Sequence, residues 1–399
     1  MKNLKFLNRT LCIIFCVLLL FLSHCFSKKG IEERVDELLK EKDYTSALAL
    51  LNKNIKLEPE NPNLIALKVK VLVEKNDGIK AAEEYLKFYS LNKKHAPELL
   101  YEIAFSIEKA WTPLHVANES VEFGFAEMLA DVGDTNRAIN IWKKYLNSED
   151  RGLQAAIALG KNGDNSGTDI LKKALKSNEK KVRWDAALAL AGIGDNSGID
   201  ELKEGLYTFH TGRDWIEASY KSNEKEIALA KFGDKNALDS LRNYKDLYFP
   251  DSVDNFSIGY GRNIDMTVAL ERLGDESIIP TLKKVLNYYP IEASDDIELA
   301  RKIDKSRIDI AIALARLGDT SRIDIVIKEL EDEDWRSFDK EALWTLARIG
   351  YKNAIPTLTE LFKQAFIRFK HMKAYGEEHE QQYFVPLILT LYMLTKENH

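Results

Sequence analysis

Lys181-Val-Arg-Trp-Asp-Ala-Ala-Leu-Ala-Leu-Ala-Gly-Ile-Gly-Asp195 is the stretch on which the fold turns. Val182, Ala186, Leu190 and Ile193 fall on one face of a helix, because side chains three and four apart stand one above another. The alanines at 186, 187, 189 and 191 add little bulk, so a second helix can approach closely. Gly194 then supplies the left-handed residue that ends a helix. Asp195 is placed to accept hydrogen bonds from the free amides that open the next one. In that second helix Ile199, Leu202 and Leu206 share a face. One such hairpin cannot hide its apolar side alone, so neighbours must stack on it.

The phrase recurs along the chain. Its glycines are Gly133, Gly163, Gly194, Gly233, Gly274, Gly318 and Gly350, separated by 30, 31, 39, 41, 44 and 32 residues. All but the last are followed by Asp; Tyr351 follows Gly350. A repeat near 31 residues that lengthens three times in succession marks a helical array with insertions after the second helix. The first two insertions are 207–214 and 244–257, and the third, 288–295, is either an insertion or the start of a longer helix. They carry Tyr207, Phe209, Tyr244, Tyr248, Phe249, Phe256, Tyr288 and Tyr289, with Trp215 and Tyr260 just beyond. These ten aromatics are the candidate partner-binding residues, since rings on one edge suit a peptide or glycan. The alternative is that the rings fold back over helix ends.

Residues 181–206 resemble a HEAT repeat of the short, phycobilin-lyase-like type, and the resemblance extends over about 119–365. It implies an all-α solenoid, and for function it implies little, because such repeats serve scaffolds, lyase subunits and iron enzymes alike. Upstream, Lys42–Pro62 resembles the second half of a tetratricopeptide repeat, with Tyr44, Ala47, Leu51 and Pro59 on its marker positions. Residues 63–92 form a degenerate second copy turning at Asn76-Asp77-Gly78, and a further helix is predicted over Pro97–Lys109. No linker-like stretch separates the halves, which predicts one continuous array: tetratricopeptide-like over 31–118, HEAT-like over 119–365, and capping helices with a tail over 366–399. Phe384–Leu394 is apolar enough to close the last repeat or, alternatively, to dock on a partner.

The first residues read as an address. Lys2, Lys5 and Arg9 precede an apolar run, Leu11–Leu22, which gives way to small and polar residues, the pattern of an export signal over 1–24. Counted from Leu11 to Phe26 the run spans roughly 24 Å as a helix, short of the roughly 30 Å hydrocarbon core. Leu22-Ser23-His24-Cys25 resembles a bacterial lipobox, which implies cleavage before Cys25, its lipidation, and a short tether over 25–30. Ordinary cleaved export and a retained anchor are the alternatives. Cys12, Cys16 and Cys25 are the only cysteines, so the body holds no pair for an internal disulfide. The net charge of −6 becomes −9 without residues 1–24 (54 Lys+Arg against 63 Asp+Glu), and an acidic body argues against general binding to nucleic acid.

Catalytic patterns fail on inspection. Ser177-Asn-Glu-Lys180 and Ser222-Asn-Glu-Lys225 match Ser-x-x-Lys, yet both precede an alanine-rich helix and lack the accompanying motifs. The Gly192–Gly198 glycines have the wrong spacing for a dinucleotide loop and follow a helix. His371 and His379 stand near Glu377, Glu378 and Glu380 without the spacing of a zinc pair, so a solvated tail is expected and no metal or other cofactor. The sequence thus reads as an exported, lipid-anchored α-solenoid that binds protein partners at a bacterial envelope without catalysis. Its rival is an enzyme or enzyme subunit working in the concave groove.

Overall fold

The structure is a computed structural model that describes residues 30–111, 118–204, 225–243, 270–288, 297–331, 340–372 and 381–396. Among these residues every regular element is helical. The helices are α1 (30–40), α2 (Tyr44–Leu57), α3 (Pro62–Glu74), α4 (Gly78–Asn92) and α5 (Pro97–Trp111), then α6 (Asn118–Val132) and α7 (Thr135–Lys144). They continue as α8 (Gly152–Lys161), α9 (Thr168–Ala174), α10 (Lys180–Gly192), α11 (Ile199–Glu204), α12 (225–231), α13 (Lys235–Asn243) and α14 (270–272). The last are α15 (Ile279–Tyr288), α16 (Ile297–Arg316), α17 (Ile323–Glu331), α18 (Lys340–Arg348), α19 (Ile355–Met372) and α20 (Gln381–Thr395). Helix α16 is 20 residues long, and residues 289–296, which hold most of the third lengthening, lie outside the described residues. The architecture is an all-α solenoid of helix hairpins.

Two compact units emerge, one drawn from Met1–Pro113, Lys363–Ala374 and Thr395–His399, the other from Leu114–Phe362 and Tyr375–Leu394. In the first, α2 packs on α3, α3 on α4, and α4 and α3 on α5. Ala47 and Leu51, both fully buried, join Val35, Leu38, Leu64 and Val71 in one core. The helix starts are capped by side chains: Asp43 accepts from the Ser46 amide at 3.0 Å and Asn61 from the Asn63 amide at 3.1 Å. At the 76–78 turn the left-handed residue is Asn76 (φ 63°), whereas Gly78 begins α4. A Cβ on Gly78 would lie 2.7 Å from the Ile107 backbone nitrogen, so this glycine serves the contact between α4 and α5 rather than the turn.

The second unit carries the glycine phrase, and all seven glycines have positive φ, from 64° at Gly350 to 102° at Gly133. Each closes the first helix of its hairpin: the amide of Asp195, for instance, donates to the Leu190 carbonyl at 2.9 Å. In most repeats the following Asp then caps the second helix, and after Gly163, Gly194, Gly274 and Gly350 that helix opens with a tight 3-10 turn. Asp164 accepts from the Ser166 amide at 2.9 Å and Asp195 from the Ser197 amide at 2.9 Å. In those turns Gly167 and Gly198 sit on Ala156 and Ala187 of the preceding helix; a Cβ there would come within 2.7 Å of the alanine Cα. Small residues on both sides therefore set the close approach within these two hairpins.

Helix α10 is buried on two sides, which explains its run of alanines. Ala186, Ala189 and Leu190 pack on Ala156 and Leu171 of the preceding repeat, with Val182 and Ile193 alongside. Ala187 and Ala191 face Leu202 of their own second helix and Ala228 and Leu229 of the next repeat. Further along, Leu241, Leu270, Ile278, Leu282, Leu286, Ile310 and Leu314 continue the core. Stacking is reinforced by a ladder of ion pairs in which a base on one second helix reaches the capping Asp of the next repeat. Lys143 meets Asp164 at 2.7 Å, Lys172 meets Asp195 at 2.8 Å, Arg242 meets Asp275 at 2.9 Å, and Lys283 meets Asp319. The Lys172 ammonium and the Ser197 donors hold the Asp195 carboxyl down to about 2, and Lys283 with Ser321 does the same for Asp319.

Candidate functional site

The aromatic edge expected from the sequence lies almost wholly outside the described residues. Tyr207, Phe209, Trp215, Tyr244, Tyr248, Phe249, Phe256, Tyr260 and Tyr289 are outside, as is Cys25. Tyr288 closes α15, and only its backbone is described. Ser177, of the Ser-x-x-Lys pattern, has a local role: its Oγ accepts from the Glu179 amide at 3.1 Å ahead of α10. That is the work of a polar residue at the start of a helix.

A set of interacting charges lies where the first hairpin of the second unit meets its last ones. Helix α6 packs against α18. The Arg348 guanidinium, at the end of α18, donates through Nε to the Asp131 carbonyl at 2.6 Å and places Nη2 3.9 Å from the Asp131 carboxylate. It thereby satisfies one of the carbonyls that the last turn of a helix leaves free. Arg316, at the end of α16, is mostly buried; its Nε donates to Thr345 Oγ1 at 3.0 Å, and it pairs with Glu341 and, at 3.8 Å, with Glu271. Burial pushes the Asp131 carboxyl up despite Arg348 beside it, and likewise raises Glu271 despite Arg316. Burial also raises Glu127, one turn back on α6, against the pull of Arg151 and Lys161. The same desolvation lowers the Arg348 guanidinium, with Arg316 adding to it.

A sequence signal existed for this seam. Two residues before each repeat glycine stand Asp131, Lys161, Gly192, Lys231, Arg272, Arg316 and Arg348. A base at the end of a helix is favoured by the helix dipole, so five of the seven need no special reason. Gly192 and Asp131 are the two departures, and Asp131, the one acid among the seven, meets Arg348 of the last repeat.

The capping Asp departs at the same place. Asp134 makes no cap hydrogen bond, is 4% exposed, and accepts instead from the Tyr392 hydroxyl of α20, with Arg137 Nε 3.4 Å away. The Arg137 guanidinium also lies over the Tyr392 ring, 5.3 Å from its centre. These groups satisfy one another; the arrangement fixes geometry. Among the described residues no group of three His, Cys, Asp or Glu side chains is placed to hold a metal ion, and no helix is long and apolar enough to cross a membrane.

One further polar pair, buried Tyr85 with half-buried His95, stands in the first unit. The Tyr85 hydroxyl lies 3.0 Å from His95 Nδ1 and accepts from the Ala96 amide at 3.1 Å, while the His95 ring stacks on Tyr89. Burial pushes the His95 imidazole down to about 4, which favours the neutral ring. The pair pins the connection between α4 and α5.

Two family models match the chain. That of HEAT repeats covers residues 150–219, which includes α8 to α11, and that of the PBS lyase HEAT-like repeat covers 340–364, which includes α18 and the start of α19. No curated protein matches. Matched stretches in the middle and near the end of the seven glycine phrases, together with the left-handed glycine common to all of them, show that the chain carries HEAT repeats.

Proposed function

We propose that this protein is a non-enzymatic interaction scaffold, exported and held at a bacterial envelope membrane by a lipid on Cys25. The observation that carries the scaffold reading is the repeat itself. Stacked HEAT hairpins present second helices and turns side by side over a long surface, which suits protein binding and requires no reacting groups. The seam charges are consumed by one another, in agreement with a structural use. The partner-binding edge is assigned to the aromatic insertions, with Tyr248, Phe249 and Tyr289 as its centre, and the upstream hairpins are assigned to tetratricopeptide-like repeats. The anchor rests on the Leu22–Cys25 pattern and its apolar leader. Each acyl CH₂ buried in the membrane contributes about 0.8 kcal/mol.

Two experiments separate these statements. Cys25→Ala is expected to abolish fatty-acid labelling and to move the protein out of the detergent phase; unchanged labelling rejects the anchor. Substituting Tyr248, Phe249 and Tyr289 by Ala is expected to leave helical content intact and remove the proteins cross-linked to the wild type in intact cells. An unaltered set of cross-linked proteins rejects the aromatic edge.

A further inference from the structure

In an open helical array each repeat touches only its neighbours, and the terminal helix keeps one wet face. Helix α20 differs on both counts. Phe384, Val385, Leu387, Ile388, Leu389, Thr390, Leu391 and Tyr392 are each no more than 3% exposed, and they cover the full circumference of the helix. A helix that is apolar all round belongs inside a protein. Near its start the Phe384 ring lies 5.5 Å from that of Phe362 on α19, the last-repeat side. Near its end Tyr392 donates to buried Asp134 and Met393 approaches Gly133, both in the turn of the first HEAT-like hairpin. Asp134 and Tyr392 are 258 residues apart in sequence. Arg348 on α18 makes a second link to the same hairpin through the Asp131 carbonyl.

We propose that α20 is a clasp: it closes the HEAT-like unit by joining its last repeat to its first, so that the two ends open and close together. The chemistry of the first hairpin is adapted to this. Asp134 holds the position at which other repeats cap their second helix, as Asp164 and Asp195 do, and instead receives the clasp's hydroxyl. Asp131 holds a position that is basic in five repeats and instead faces Arg348. A partner for this unit must therefore bind it closed, on its second helices and turns, because occupying residues 384–394 would first require the first hairpin to be released.

The test is hydrogen exchange of the full-length protein, comparing wild type with Tyr392→Phe, which keeps the ring and its volume but removes the donor to Asp134. Ile388→Ala, which opens a void in the middle of α20 and touches no polar group, is the second variant. Each is expected to speed exchange in α6 and α7 by at least about tenfold, the scale of a lost hydrogen bond to a buried charge or of a core void, while α8 to α10 change less. Faster exchange confined to α18–α20, with α6 and α7 as protected as in wild type, overturns the proposal. So does a graded loss that diminishes with distance from the C-terminus, which is how an open array responds.

Discussion

Gly192 and Gly194 stand two residues apart in the phrase that decides the fold, yet the structure gives them different work. Gly192 is the last residue of α10 and has ordinary helical conformation, so helix propensity alone favours alanine there by about 1 kcal/mol. An alanine Cβ would, however, fall on the Gly160 carbonyl oxygen of α8, 3.1 Å from its carbon and 3.2 Å from the Lys161 Cα. Each of these is a backbone atom, so no side chain can rotate away and the two helices must part. Overpacking of a close contact costs about 1–3 kcal/mol, and an unyielding backbone places this case at the upper end. Gly192→Ala is therefore expected to destabilise the unit by a net of about 2 kcal/mol, or roughly thirtyfold in the folded-to-unfolded ratio. For a unit of this size that lowers the melting temperature by about 4–8 °C. The assay is thermal and urea unfolding followed by circular dichroism. A variant as stable as wild type, or more stable by the propensity term, refutes the close approach of α8 and α10.

Three further outcomes are expected. Gly194→Ala meets nothing within 4 Å but must hold φ 76°, so unfolding experiments should show a loss of about 1–2 kcal/mol, part of which Gly194→Asn recovers. The Asp195 carboxyl is held at about 2 by Lys172 and Ser197, so its contribution is present above the usual carboxylate range and disappears as pH falls from about 4 through 2. Melting temperature plotted against pH should accordingly fall less steeply over that window in Asp195→Asn than in wild type. Gly78→Ala should weaken the first unit by about 2 kcal/mol in urea unfolding, because its Cβ meets the Ile107 backbone, whereas Asn76→Gly, which relieves a left-handed asparagine, should not weaken it.

Most of the fold was legible because its devices are local. A helix-ending glycine, an aspartate after it and an apolar stripe are all written within about 25 residues, and they place Gly133 through Gly350 in the left-handed conformation without knowledge of tertiary structure. The 3-10 openings were less legible, because Asn-Ser-Gly at 165–167 and 196–198 suits any turn until Ala156 and Ala187 are known to lie beneath the glycines. The closing seam was hidden for a different reason. Asp134 and Tyr392 carry no mark of each other in sequence, and the apolar run 384–394 suits a terminal cap as well as a central helix. Only the acid at Asp131, where five of the seven repeats carry a base, signalled that the first hairpin meets something other than the preceding repeat. The aromatic insertions and the leader fall outside the described residues and stand as proposals.

Closure of the HEAT-like unit is tested most directly by covalent capture of its two ends. A Cβ on Gly133 would stand 3.9 Å from the Arg348 Cα and 3.5 Å from its Cγ, within the reach of a disulfide. In an open array the first and seventh hairpins are six steps of about 9 Å apart, roughly 55 Å. Gly133→Cys combined with Arg348→Cys in the full-length chain, oxidised without denaturant, is predicted to give an intramolecular peptide joining residues 133 and 348 by mass spectrometry. Recovery of both cysteines as free thiols, or only in links between separate molecules, would contradict the closed unit.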